Sequence, residues 1–212
     1  MSDNTMYLRN AESVLEDVAE VSLVREGRGL AFHTSTNLSQ VDGGTTVKMV
    51  TEMPGKDPLI GNLHITNLKA SPTEALVDQE FRDSADKLVF TRQIHQWDVI
   101  GVNSNHKTTK IDTIYKGVLG DVTIRATCAE DGTNHQYVTC NEIVLDANGT
   151  KIGTIKGTEN PVDHPPSEDY SSKAYDLQGH YLGTVRGAIH RQDGAKGGSI
   201  TLDVLHEASQ EK

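Results

Sequence analysis

Short apolar runs, broken at close intervals by glycine and turn dipeptides, set the pattern of this chain. Glu26-Gly27, Asp42-Gly43-Gly44, Pro54-Gly55, Asp131-Gly132, Asn148-Gly149 and Gly197-Gly198 separate stretches rich in Val, Ile, Thr and Tyr. That punctuation predicts many antiparallel strands joined by tight turns. Candidate strands cover 29–34, 45–52, 62–68, 88–95, 107–115, 118–128, 136–145, 151–157, 180–190 and 198–205. Period-2 alternation puts Val122, Ile124, Ala126 and Cys128 on one face and Thr123, Arg125 and Thr127 on the other. In the last run, Ile200, Leu202 and Val204 oppose Ser199, Thr201, Asp203 and Leu205. One dry and one wet face suits a barrel or a sandwich.

Two short helices are expected. One spans 11–19 behind Asn10 as N-cap. The other begins at Ser71, where Ser71-Pro72-Thr73-Glu74 joins a capping serine, proline at the first helical position and a capping glutamate. Val77, Phe81, Ala85 and Leu88 then recur at nearly helical spacing. The stretch 159–172 holds three of the six prolines and reads as loop. These elements predict an all-β fold over residues 1–212 as a single domain: an antiparallel β-barrel, or a β-sandwich if it does not close.

An internal repeat is the most specific motif. Residues 145–157 read LDANGTKIGTIKG and residues 175–187 read YDLQGHYLGTVRG, thirty positions apart. Asp146 and Asp176 start turns, and Gly149 and Gly179 supply a positive φ. The apolar pairs that follow, Ile152 with Ile155 and Leu182 with Val185, are three apart, so a regular strand would send them to opposite faces. A bulge near Gly153 and Gly183 would return each pair to one face. The frame resembles the opening hairpin of PRC-barrel domains over about thirteen residues per copy. D-x-x-G turns before a strand also occur in unrelated proteins, so no family is assigned.

Charge narrows the partners. Thirty Asp and Glu against twenty Lys and Arg give −10, which repels phosphate backbones and anionic lipid. Neither nucleic acid nor a membrane is an expected partner, since no basic patch is visible along the chain. No run approaches the roughly 20 apolar residues of a membrane helix. Met1 to Asn10 lacks the pattern of a signal peptide, and a cytoplasmic location is expected. Cys128 and Cys140 flank Asp131-Gly132; a turn centred near Gly132 would offset them, so two free thiols are expected. A bridge would need a longer loop centred near Asn134.

Nine histidines carry no H-x-H or H-x-x-x-H spacing, so no metal site and no cofactor is expected. Val162 to Asp169 places His164 among three carboxylates, in the plain reading a solvated acidic loop. His95 and Trp97 (the only tryptophan) share a strand face with Val99. If that face points inward, Trp97 floors a pocket with His95 as its polar member, the nearest thing to a catalytic candidate.

Three functions follow. The first is a barrel that binds an apolar small molecule in an interior pocket. The second is a cofactor-independent cyclase or isomerase on the same scaffold, which needs a buried ionisable group facing a cavity. The third is an interaction or assembly module using strand edges or the Ser71 helix.

Overall fold

The computed structural model describes residues 3–27, 32–41, 44–52, 57–99, 108–117, 120–130, 138–159, 167–191 and 197–205. Within them one helix, α1 (Asp3–Glu26), precedes twelve strands. These are β1 (Phe32–Val41), β2 (Gly44–Glu52), β3 (Leu59–Ala70), β4 (Glu74–Asp83), β5 (Leu88–Val99) and β6 (Thr108–Lys116). They continue as β7 (Val122–Glu130), β8 (Val138–Leu145), β9 (Lys151–Glu159), β10 (Ser167–Tyr175), β11 (Tyr181–Arg191) and β12 (Gly197–Leu205). The all-β, antiparallel class expected from the turn pattern is what the structure shows. Each strand pairs with its neighbours in sequence, and β1 also pairs with β12 from Phe32↔Leu202 to Asn37↔Gly197. The ladder therefore returns on itself.

Two expected elements are different. The Ser71 segment is a turn and a strand, not a helix. Ser71 N–H donates to Glu74 O at 2.7 Å, and Glu74 N–H donates to Ser71 Oγ at 3.1 Å, closing the β3–β4 hairpin with Ala70 opposite Ala75. The capping chemistry read from Ser71 and Glu74 is present, but it caps a β-turn. Ala75, Val77, Gln79 and Phe81 then alternate toward the interior between two partner strands, and that cross-strand pairing overrides the weak helical spacing. The interaction reading thereby loses its helix. The expected loop 159–172 contains the start of β10 from Ser167 onward, while residues 160–166, including His164, lie outside the described residues.

The expected short helix is longer in both directions. Asn10 sits within α1, and the helix stops at Gly27, whose φ of +65° lets its N–H reach Leu23 O at 2.9 Å. Ala19, Glu20, Val21, Ser22 and Leu23 are all buried. Five consecutive residues point in every direction around a helix, so α1 has protein on all sides here. It packs against β1, β2 and β9–β12, and its side chains hydrogen-bond across to β5 and β6. The core forms around it from Val47, Leu63, Phe81, Tyr115, Ile155 and Val185, among others.

The repeat folds as the glycine pattern suggested. Asp146 Oδ1 accepts from the N–H groups of Asn148 and Thr150, and Asp176 Oδ1 from those of Gln178 and His180. Gly149 and Gly179 adopt φ of +78° and +83°. The register skips Ile152 beside Gly153 and Leu182 beside Gly183, so each bulge turns the extra apolar residue toward the core. A third copy appears without the sequence signature. Asp83 Oδ1 accepts from Ala85 and Lys87, Asp86 takes the glycine position at φ +61°, and the register skips Val89. All three hairpins enter at an even strand and leave at an odd one, which puts them on one rim.

Gln93, His95, Lys110, Asp112, Arg125 and Lys156 fall on the parity opposite the core-facing residues of their strands. That is the reverse of the apolar exterior a membrane barrel presents to lipid. No helix among the described residues is long and apolar enough to cross a membrane.

Candidate functional site inside the strand ladder

Helix α1 carries Ser13, Glu16, Asp17 and Glu20 at i, i+3, i+4 and i+7, which lines them up on one face. That face borders a cavity of about 500 Å³ shared with strands β3–β9. Val14, Leu15, Ala19, Val21 and Leu23 fill the core instead. Amphipathic helices usually turn their polar stripe to water; this one turns it into the interior.

The stripe is held by β5 and β6. Arg92 is 3% exposed and donates to Ser13 Oγ at 2.7 Å, to Asp17 Oδ2 at 3.2 Å and to Gln79 Oε1 at 3.2 Å. The Tyr115 hydroxyl donates to the same Asp17 oxygen at 2.6 Å. Arg92 also stacks over the Tyr115 ring, 5.5 Å from its centre, and Phe90 and Phe81 continue the aromatic row. Burial raises the Asp17 carboxyl above its ordinary range, against the pull of Arg92 and the Tyr115 bond. Burial also drives the Tyr115 hydroxyl well up. A charged pair here is structurally committed, because either partner alone would be an uncompensated interior charge.

Two further carboxyls have no such arrangement. Glu20 is 1% exposed, and its Oε1 has no hydrogen-bond partner; Glu142 Oε2 on β8 has none either. Desolvation pushes Glu20 well above its usual range, with the nearby Glu142 charge adding to the effect. Glu142 is pushed up to about 8, again by burial first and then by Asp17. Unsatisfied buried oxygens are uncommon in folded proteins, and they mark places where something else supplies the hydrogen bond.

Beside the acids the lining is largely apolar: Val77 on β4, Ile94 on β5, Ile111 on β6, and Ile124 and Ala126 on β7. Half-exposed Leu68 and exposed Gln96 form the lip. Cys128 and Cys140 close one side as a disulfide between directly paired residues of β7 and β8. This corrects the expected free thiols, since the register is centred at residue 134 and brings the two cysteines opposite each other. The chamber therefore has an apolar body and an acidic base, a combination suited to orienting an amphipathic ligand or to moving a proton.

No family model, curated protein or solved structure matches the chain. Its function is therefore argued from this geometry.

His95 and Trp97 do share a face, with ring centres 4.7 Å apart, but it is the outer one. Arg92, Ile94 and Gln96 border the interior cavity, and the strand's alternation sends His95 and Trp97 the other way. His95 is exposed and meets Glu74 Oε1 at 2.6 Å. Trp97 instead lines an outer groove of about 660 Å³ with Lys110, Arg125, Lys151 and Lys156 beside Asp112. Those cations come from three strands, so their proximity is invisible along the chain. No group of three or more His, Cys, Asp or Glu among the described residues is placed to hold a metal.

The interior acids are not legible in the sequence, where AESVLEDVA gives only a short helix. Their signal was the spacing of Ser13, Glu16, Asp17 and Glu20 opposite an apolar face, but only the structure shows which face is enclosed. Glu142 carried a signal too, as the lone charge beside Cys140 and Val144 on the inward parity of β8, whereas Arg92 shares its parity on β5 with Gln96 and Asp98.

Proposed function

We propose that the self-closing ladder works as a ligand-holding barrel, with α1 filling part of its interior and the remaining chamber taking a small molecule. The observation that carries this reading is the apolar-walled cavity of about 500 Å³, within the size range of small-molecule sites. The unpartnered oxygens of Glu20 and Glu142 at its base support it. The bridge between Cys128 and Cys140 favours an oxidising compartment over the cytoplasm, where such bonds are kept reduced.

The test is titration with N-phenyl-1-naphthylamine, a neutral apolar dye that brightens out of water. Saturable one-to-one binding is expected, abolished by Ala126→Phe, which fills the chamber from β7. Dye binding that ignores the substitution would remove the interior pocket from consideration.

A second reading, the cofactor-independent cyclase or isomerase, is favoured by Glu142. A carboxyl pushed up to about 8 exchanges its proton near neutral pH, as a general acid or base must. The two readings part at Glu142→Gln, which preserves dye binding under either but abolishes turnover of a captured substrate under the second.

A further inference from the structure

We propose that the polar end of the ligand is an organic ammonium group seated between Glu20 and Glu142, with its hydrocarbon body along Val77, Ile94, Ile111 and Ile124. This rests on the ligand-binding reading and names the class of molecule that site selects. Three observations carry it.

The first is the geometry of the floor. Glu20 from α1 and Glu142 from β8 border one chamber, and each has a buried oxygen with no well-formed hydrogen bond, although the Ser172 hydroxyl stands close enough to Glu20 to pull its carboxyl down in part. Once ionised, a carboxylate oxygen accepts and does not donate, so the partner of the ionised pair must bring hydrogen atoms. An ammonium group brings three.

The second is the charge facing that floor from the surrounding elements. Glu16 and Asp17 stand on the same helix face, Arg92 on β5 and Tyr115 on β6. Ser172, also buried, approaches from β10. The Arg92 guanidinium is held against Asp17, Ser13 and Gln79, so among the described lining residues no other cation faces Glu20 and Glu142. An anionic head group would add a further negative charge to this enclosure, while a cation relieves the repulsion. A divalent metal is disfavoured by the lack of any three-ligand group among the described residues.

The third is the wall. Beside the acids the lining includes aliphatic Val77, Ile94, Ile111, Ile124 and Leu68, and a small hydrated cation would leave it unused. An amine with a hydrocarbon tail satisfies both surfaces.

The acids also give the site a proton signature. Both are raised by burial, so the empty chamber holds protons that an entering cation displaces. The affinity for an amine then climbs with pH as Glu142 ionises, while an alkylammonium stays charged throughout.

The experiment is calorimetric titration of the full chain with octylamine, octanol and octanoate at pH 6 and pH 8, each in two buffers of different ionisation enthalpy. Octylamine is expected to bind one to one and at least tenfold tighter than octanol at pH 8. Proton release at pH 6 and a severalfold gain in affinity between pH 6 and pH 8 are expected with it, and octanoate should give no binding. Glu20→Gln and Glu142→Gln, both close in shape to the native side chains, should each cut octylamine affinity tenfold or more and leave octanol unchanged. Octanol or octanoate matching octylamine would overturn the ammonium assignment while leaving a ligand-binding chamber intact. Failure of all three ligands would also overturn it, and the chamber reading falls with it only if N-phenyl-1-naphthylamine fails too.

Discussion

Replacing Arg92 by methionine tests whether the interior network clamps α1 within the ladder. Methionine keeps much of the stem and removes the guanidinium, so the bonds to Ser13, Asp17 and Gln79 are lost together. Breaking a buried ion pair from one side costs about 3–5 kcal/mol, because the remaining charge is stranded. Asp17 keeps the Tyr115 hydroxyl at 2.6 Å and is 16% exposed, which points to the lower end, about 3 kcal/mol. It also escapes part of the penalty by taking up a proton. Its carboxyl is already raised by burial, and loss of Arg92 raises it further. The folded state then binds the proton more tightly than the unfolded one, so the variant's stability falls as pH rises through the folded value. The deficit should be larger at pH 8 than at pH 5. Urea unfolding followed by circular dichroism, with Asp17→Asn and the double variant completing the cycle, measures it. A loss below 1 kcal/mol at pH 8, or equal losses at both pH values, would refute the clamp.

Glu142→Gln should flatten the pH dependence of the native chain. With a folded value of about 8 against 4.5 in the free residue, native stability declines between those pH values as the unfolded carboxyl ionises first. The variant should be the more stable protein at pH 8, on the order of 4 kcal/mol from these values; a variant weaker than the native chain at that pH would contradict the assignment. Reduction of the Cys128–Cys140 bridge, whose partners are twelve residues apart, should lower stability by about 2–3 kcal/mol, read as a shift in urea midpoint with reductant. Gly153→Ala places a Cβ 2.5 Å from Val24 and 2.7 Å from the Tyr175 carbonyl, so it should cost more than Gly149→Ala. The latter meets open space and pays only for its positive φ, about 1 kcal/mol. Thermal melts of the two variants in the reverse order would show that α1 does not press on β9.

The antiparallel class was legible in the sequence because alternation and glycine turns are local signals. Val122, Ile124 and Cys128 needed nothing beyond their own spacing to be placed on the buried side. The hairpin bulges were legible for the same reason, since two apolar residues three apart cannot share a face of a regular strand. β4 was not legible as a strand. Its alternating Ala75, Val77, Gln79 and Phe81 were masked by a proline-containing turn that also fits a helix start, and the decision lay with partner strands distant in space. The interior site was hardest to see. Whether Ser13, Glu16, Asp17 and Glu20 meet water or a chamber depends on closure of the ladder around α1, and no residue near them encodes that. Strand alternation alone puts His95 and Trp97 on a common face, but nothing in their own strand says which face is inner.

Among the described strands, the seam between β1 and β12 is the one place where strands distant in sequence pair. Every other junction forms between consecutive strands and so can assemble by local zipping, which carries a small closure penalty. Because Ala19 to Leu23 are buried on every side of α1, the helix is expected to lodge among the strands before residues 32–37 meet 197–202. The seam is thus the last joint made and the first released, and the helix leaves only when it opens. Amide protons of Ala19 to Leu23 should accordingly exchange no faster than those of the seam, and the chain behaves as a clasp that holds its helix until the seam parts.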